Sequence, residues 1–296
     1  MNEQAVAQTV PGRSLLAQYI SLSKPGIVGL TLVAALTGIY FGNHGIMPHW
    51  SLIAWTFLTL ALATAGSCML NNYYDRDIDR LMERTSKRVL AAEEISSGRV
   101  LPVSLFLIGL SLSLMAWTVN PLSAVVTAVG VFGYSVVYTM WMKRTTPWAN
   151  QFGGIAGAVP PMIGYAAVTG ELGAAAWILF AIMVVWQQPH ALSLALKYRE
   201  EYARAGVPVI PVAKGVVATK QRIVIYCMML LPVSSLPWIY DIAGTTYLAT
   251  SIVLGGLFLA MSTRFMFSEK PYNMRLFAYS IVYLILLFGS MVFDAL

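Results

Sequence analysis

Residues 51–70 read SLIAWTFLTLALATAGSCML, and residues 71–80 continue as NNYYDRDIDR. The first twenty carry no Asp, Glu, Lys or Arg, and twenty such residues in a helix cross a hydrocarbon layer of about 30 Å. The next ten open a stretch dense in charge. Asn71, Asp75 and Asp79 are spaced i, i+4, i+8. At about 100° per residue they drift only about 80° around a helix and share one face, while Asp77 points away. Carboxylates where a membrane segment meets water are costly unless something pairs with them, so the stretch reads first as a functional site. An oxygen-rich face of this kind suits Mg²⁺, a hard cation that bridges to substrate phosphates. Arg84, Lys87 and Arg88 follow and suit phosphate charge. The competing reading is a solvated loop whose acids offset its arginines.

Working outward, the rest of the chain favours the membrane. It is 58% hydrophobic and 11% charged over 296 residues, where soluble domains carry about 25% charged residues. The net charge of +6 follows from where the cations sit and gives no reason to expect nucleic acid as a partner. Cys68 and Cys227 fall inside apolar segments and have no metal or disulfide spacing. The expected fold is all-α, a polytopic bundle of nine transmembrane helices around a central cavity open to the cytoplasmic side. The spans fall near 26–43, 51–73, 101–118, 122–141, 150–169, 174–196, 222–240, 245–263 and 274–293. Residues 1–24 form a cytoplasmic segment whose Leu15, Leu16, Tyr19, Ile20 and Leu22 suggest a short interfacial helix, and 25–296 form one domain.

All 19 Lys and Arg lie in the N-terminal tail or in the second, fourth, sixth and eighth connections. The other four connections have none. The positive-inside rule then puts the N-terminus in the cytoplasm and the C-terminus outside. With no core of signal-peptide type near the N-terminus, the expected location is a bacterial inner membrane. Two long charged loops follow the second and sixth spans, as in a duplicated four-helix unit with a ninth helix added. Gly153, Gly154 and Gly157 permit close helix contact, and Pro160-Pro161 should break the fifth span.

The sixth span ends in a second polar group, Gln187-Gln188-Pro189-His190, and Lys197, Glu200 and Glu201 follow. If the helix persists, His190, Lys197 and Glu201 share a face spread over about 40°. Polar residues gathered at membrane depth argue for a pocket. Glu200 and Glu201 are candidates for a second Mg²⁺ cluster, against solvated loop acids. Tyr134 and Tyr138, one turn apart at the end of the fourth span, either belong to an interfacial belt or present ring faces to a cationic intermediate.

On these residues the chain resembles the UbiA-type intramembrane prenyltransferase superfamily. The features are Asn71-x-x-x-Asp75-x-x-x-Asp79, a second polar motif after helix six, and nine helices. Within it the chain is similar to the branch that farnesylates haem, through Lys24-Pro25, Asn72 to Asp79, Arg84-Thr85, Tyr138-Thr139, Lys143-Arg144, Pro189-His190 and Tyr202 to Pro211. The likeness runs from about residue 15 to 290 and departs at Gly26, Val89, Ala191 and Glu201. It implies that farnesyl diphosphate, haem B and water give haem O and diphosphate. It further implies Mg²⁺ on Asn71, Asp75 and Asp79, with Arg84, Lys87, Arg88, Lys143, Arg144 and Lys197 at the diphosphate. Tyr134 and Tyr138 would wall the allyl cation, and His190 and Gln187 would face the haem. Implied partners are the lipid bilayer and haem A synthase or a terminal oxidase. A quinone precursor or chlorin as acceptor, and an ion-coupled transporter, are the rival readings.

Overall fold

The apolar segments form the helices their length demands. A computed structural model describes residues 13–295, and residues 1–12 of the expected N-terminal segment lie outside them. Among the described residues nine helices are long and apolar enough to cross a membrane: Pro25–Gly42, Trp50–Arg80, Ser97–Thr118, Pro121–Thr145, Ala149–Thr169, Ala174–Lys197, Gly215–Ile239, Thr245–Met266 and Met274–Phe293. They are called here the first to ninth spans. The protein is a multi-pass membrane protein with the expected all-α architecture. A further helix, Leu15–Ser23, precedes the first span. It exposes Leu15, Leu16 and Ile20 and buries Gln18 and Leu22. It docks on the second span, where Asn72 Nδ2 donates to Leu22 O at 3.2 Å.

The second span is longer than its apolar run. At 31 residues it measures about 46 Å, well beyond a hydrocarbon layer of about 30 Å. The charged stretch 71–80 is therefore the continuation of one rod and not the start of a loop, which begins only at Leu81. The sixth span differs in the opposite sense. It runs through Pro189 but stops at Lys197, with Tyr198 as its cap. Glu201 belongs to a separate short helix, Arg199–Arg204, so the face expected to join His190 to Glu201 is interrupted.

Two other spans are irregular. The fifth breaks between Gly157 and Pro160, as the proline pair requires, and the break at Ala158 and Val159 is buried in protein. The fourth winds as an α-helix to Phe132 and then as a π-helix over Gly133–Met142. A run of i→i+5 turns is rare and clusters at functional sites.

The two largest apolar cores divide the bundle. One gathers residues of the first five spans, such as Ala35, Leu60, Met115, Val126 and Ile163. The other gathers the sixth to ninth, such as Leu179, Ile223, Phe258 and Tyr283. The two charged loops meet above them, Ile78 and Met82 packing against Ala205, Val207 and Val209. The first and fifth spans approach closely. A Cβ on Gly38 would lie 1.9 Å from Pro161 O, and one on Gly164 1.9 Å from Ala35 O. Only glycine permits that approach.

Candidate active site

The long second helix carries Asn71, Asp75 and Asp79 on its inner face, with side chains 4%, 0% and 3% exposed. Buried carboxylates need partners, and each of the three residues has a cation from a different element. Lys24, just before the first span, donates to Asn71 Oδ1 at 2.7 Å. Lys143, at the end of the fourth, reaches Asp75 Oδ2 at 2.5 Å. Arg88, in the loop after the second span, reaches Asp79 Oδ2 at 2.8 Å. Asn71 also donates its amide to Asp75 Oδ2 at 2.8 Å and to Thr139 Oγ1 at 3.1 Å.

The π-turn makes this arrangement possible. The Lys143 N–H donates to Tyr138 O, five residues back, and Thr139 Oγ1 donates to Tyr134 O at 2.8 Å. The wider winding turns each residue less than an α-helix does, which brings Lys143 nearer the face that carries Tyr138. The Tyr134 and Tyr138 rings stack with centroids 5.9 Å apart. Tyr138 rests on Gly153, where a Cβ would lie 2.2 Å from its ring. Gln187 rests on Gly154 in the same way, a Cβ there lying 2.6 Å from its amide carbon. These glycines therefore make room for side chains of the site, and close backbone contact is made by Gly38 and Gly164 instead.

Below the cluster lies a cavity of about 170 Å³ lined mostly by apolar residues of the first, second, fourth and fifth spans, with Thr31, Thr64, Ser67 and Thr127 among them. Ser67 and Cys68, one turn below Asn71, form part of its wall, and Tyr134 forms another part. A polar head of oxygens and cations thus stands over an apolar slot, a shape that suits a diphosphate with a hydrocarbon tail.

Among the described residues no three His, Cys, Asp or Glu side chains converge closely enough to hold a metal by themselves. The oxygen set is Asn71, Asp75 and Asp79, two carboxylates and an amide. Asp75 Oδ1 is buried without a hydrogen-bond partner, and an orphaned carboxylate oxygen at full burial fits a hard divalent cation. Burial, and then the charge of nearby Arg88, lowers the Lys24 ammonium to about 8.

Other expected residues are placed differently. Arg144 forms an ion pair with Asp77 at 2.6 Å on the outer face of the helix. Glu201 accepts the Arg84 backbone N–H at 3.0 Å, while Glu200 is exposed. The Arg84 guanidinium and the Lys197 ammonium lie 4.9 and 5.1 Å from the Tyr198 ring centre. Lys87 is exposed. His190 is packed toward the ninth span, stacked between Trp186 at 5.1 Å and Phe277 at 4.5 Å. Its Nδ1 lies 2.8 Å from Ser280 Oγ. Ser280 spends its single proton on Phe277 O at 2.5 Å. The histidine therefore carries its proton on Nδ1, and Nε2 holds the free lone pair. Lys24 and Thr139 are the site residues that the sequence reading left unassigned. The signal for Lys24 was a lone cation and a proline at the polar mouth of the first span.

Comparison with known proteins gives the family and the fold. Residues 31–288 match the model of the UbiA prenyltransferase family. The chain is 41% identical over 289 residues to the protoheme IX farnesyltransferase of Aquifex aeolicus (strain VF5), covering 96% of this chain and 97% of the relative. Two solved structures share the fold. One is of a digeranylgeranylglyceryl phosphate synthase, with TM-score 0.79 and 17% identity over 94% of this chain and 98% of that one. The other is a UbiA homolog from Archaeoglobus fulgidus bound to GPP and Mg²⁺, with TM-score 0.63 and 19% identity over 93% and 99%. The chain belongs to the UbiA prenyltransferase family.

Proposed function

We propose that this prenyltransferase moves the farnesyl group of farnesyl diphosphate onto a vinyl group of haem B, with water, to give haem O and diphosphate. The observation that carries the chemistry is the row Asn71–Asp75–Asp79, each member held by its own cation, above an apolar slot. The likeness to the Aquifex protoheme IX farnesyltransferase supports haem as acceptor.

Asn71, Asp75 and Asp79 would hold Mg²⁺, which when bound offsets the negative charge that grows on a departing diphosphate. Lys143, Arg88 and Lys24 bring positive charge to the same place, and Arg84, Lys87, Arg144 and Lys197 supply a wider basic mouth. Glu201 fixes the Arg84 backbone, which gives it a positioning role in the second loop. Tyr134 and Tyr138 wall the allylic carbon with ring faces and keep bulk water from it. The vinyl group is itself the π nucleophile, so carbon–carbon bond formation needs no general base. A water oxygen then captures the carbon next to the porphyrin and loses a proton. His190 would meet haem iron through the Nε2 lone pair, beside Gln187.

The charge bias favours an N-terminus in the cytoplasm, a C-terminus in the periplasm and a cavity mouth on the cytoplasmic side of a bacterial inner membrane. Residues 25–296 would form the one catalytic domain, with the Leu15–Ser23 helix lying at the interface. A haem A synthase or terminal oxidase would take the product.

The test is a product assay on purified protein with haem B, farnesyl diphosphate and either Mg²⁺ or chelator, read by mass spectrometry of the porphyrins. A hydroxyethylfarnesyl increment, lost with chelator and in Asp75→Ala, is expected. Prenylation of an aromatic acid with haem untouched would discard the haem assignment and keep the family chemistry.

A further inference from the structure

The eighth and ninth spans are joined by residues 267–273, and a cavity of about 930 Å³ opens beside that turn. Its wall has two kinds of residue. Arg264, Lys270 and Arg275 bring three positive charges, and Met261, Phe265 and Met274 form an apolar floor. All three cations are exposed, and none of them is in an ion pair among the described residues. Glu269 lies in the same turn and pairs with none of the three, so the cations outnumber the local acid and the arrangement suits an anion. The turn itself is tied down. Lys220, from the seventh span, donates to Ser268 O at 2.6 Å and lies 4.5 Å from the Phe265 ring centre. Asn273 caps the ninth span by accepting the Arg275 N–H at 3.0 Å.

The place and the size narrow the anion. The cavity lies where two membrane helices end, at the end of the bundle that carries the other basic loops. Cavities of about 300–1,000 Å³ hold ligands of drug size, well above a bare phosphate. A basic rim over an apolar floor at that depth matches a charged head group whose chains continue along the helices. The cavity is built from the eighth and ninth spans, away from the second and fourth spans that hold the aspartates. We propose that this cavity binds the head group of an anionic phospholipid, with Arg264, Lys270 and Arg275 taking the phosphodiester.

The experiment uses the delipidated full chain in detergent. Binding of phosphatidylglycerol, phosphatidylcholine and inorganic phosphate is measured by native mass spectrometry. Phosphatidylglycerol should bind at least tenfold more tightly than phosphatidylcholine. The variant R264Q/K270Q/R275Q should lose that preference, while R199Q/R204Q/K214Q, which removes three exposed cations elsewhere, should keep it. Wild-type protein at 0.5 M salt gives a reading that needs no substitution, and the preference should fall there by screening. Equal binding of both lipids, equal loss in the two variants, a preference indifferent to salt, or displacement of the lipid by inorganic phosphate at matching concentration would each overturn the proposal.

Discussion

Lys24, at the start of the first span, meets Asn71 of the second, ammonium to amide oxygen at 2.7 Å. A hydrogen bond to a charged group contributes about 1.5–3 kcal/mol. Lys24→Met should therefore raise the KM for farnesyl diphosphate about tenfold or more, and Lys24→Arg should recover part of it. Steady-state kinetics on both variants checks this, and an unchanged KM in Lys24→Met would remove Lys24 from the site.

Lys24 also gives stability a pH dependence. Its ammonium titrates near 8 in the folded chain and near 10.5 when free. Between those values the unfolded chain holds the extra proton, so the stability of metal-free protein rises with pH across that window. Melting temperatures of wild type and Lys24→Met should differ in wild type's favour more at pH 10 than at pH 8. A gap that narrows as pH rises contradicts the assignment.

Asp75 and Asp77 are two residues apart and should behave oppositely. Asp75→Asn leaves Lys143 without its carboxylate at a buried site, and kcat should fall about 10²–10³-fold. Asp77→Asn breaks a pair with Arg144 at the surface, and such pairs contribute about 0–1 kcal/mol. Turnover of the two variants under saturating Mg²⁺ separates them.

The glycines divide into two classes that a pair of alanine variants can distinguish. In Gly164→Ala the new methyl meets a backbone carbonyl, which cannot move aside, and overpacking of this kind costs about 1–3 kcal/mol or more. Its melting temperature should drop clearly. In Gly153→Ala the methyl meets the Tyr138 ring, so activity should fall about tenfold with a smaller change in melting.

His190 holds its tautomer through Ser280. Removing such a supporting partner from a ligating histidine typically costs 10–100-fold in affinity. Haem titrations should show the larger loss in His190→Ala and a weaker one in Ser280→Ala. If Ser280→Ala binds haem as wild type does, the hydrogen bond has only a packing role.

Much of this was legible in the sequence. The spans follow from apolar length alone, and Asn71, Asp75 and Asp79 follow from helical spacing. The two charged loops stand out by composition and by their places four helices apart, and the fold brings them together. What escaped has particular physical causes. The second helix continues ten residues past its apolar run, because partners for Asp75 and Asp79 come from elsewhere in the chain. Tyr138 and Lys143 are five apart, a spacing that diverges by about 140° on an α-helix and by less on the wider π winding. Gly38 and Gly164 touch the opposite backbone across 126 positions of chain, which no local pattern records. Ser280 is 90 residues from the histidine it orients.

The wide winding of Gly133–Met142 has a consequence for how this enzyme tolerates change. It is a phase shift written into the length of the segment. Remove one residue there while the winding is kept, and everything beyond the deletion turns around the axis by one residue's share of a turn. Lys143 would leave Asp75 and Arg144 would leave Asp77, although every charged side chain is still in the chain. The fourth span thus stores part of the site's chemistry as a count of residues, so a single deletion among uncharged residues can disarm it as fully as a substitution at Lys143.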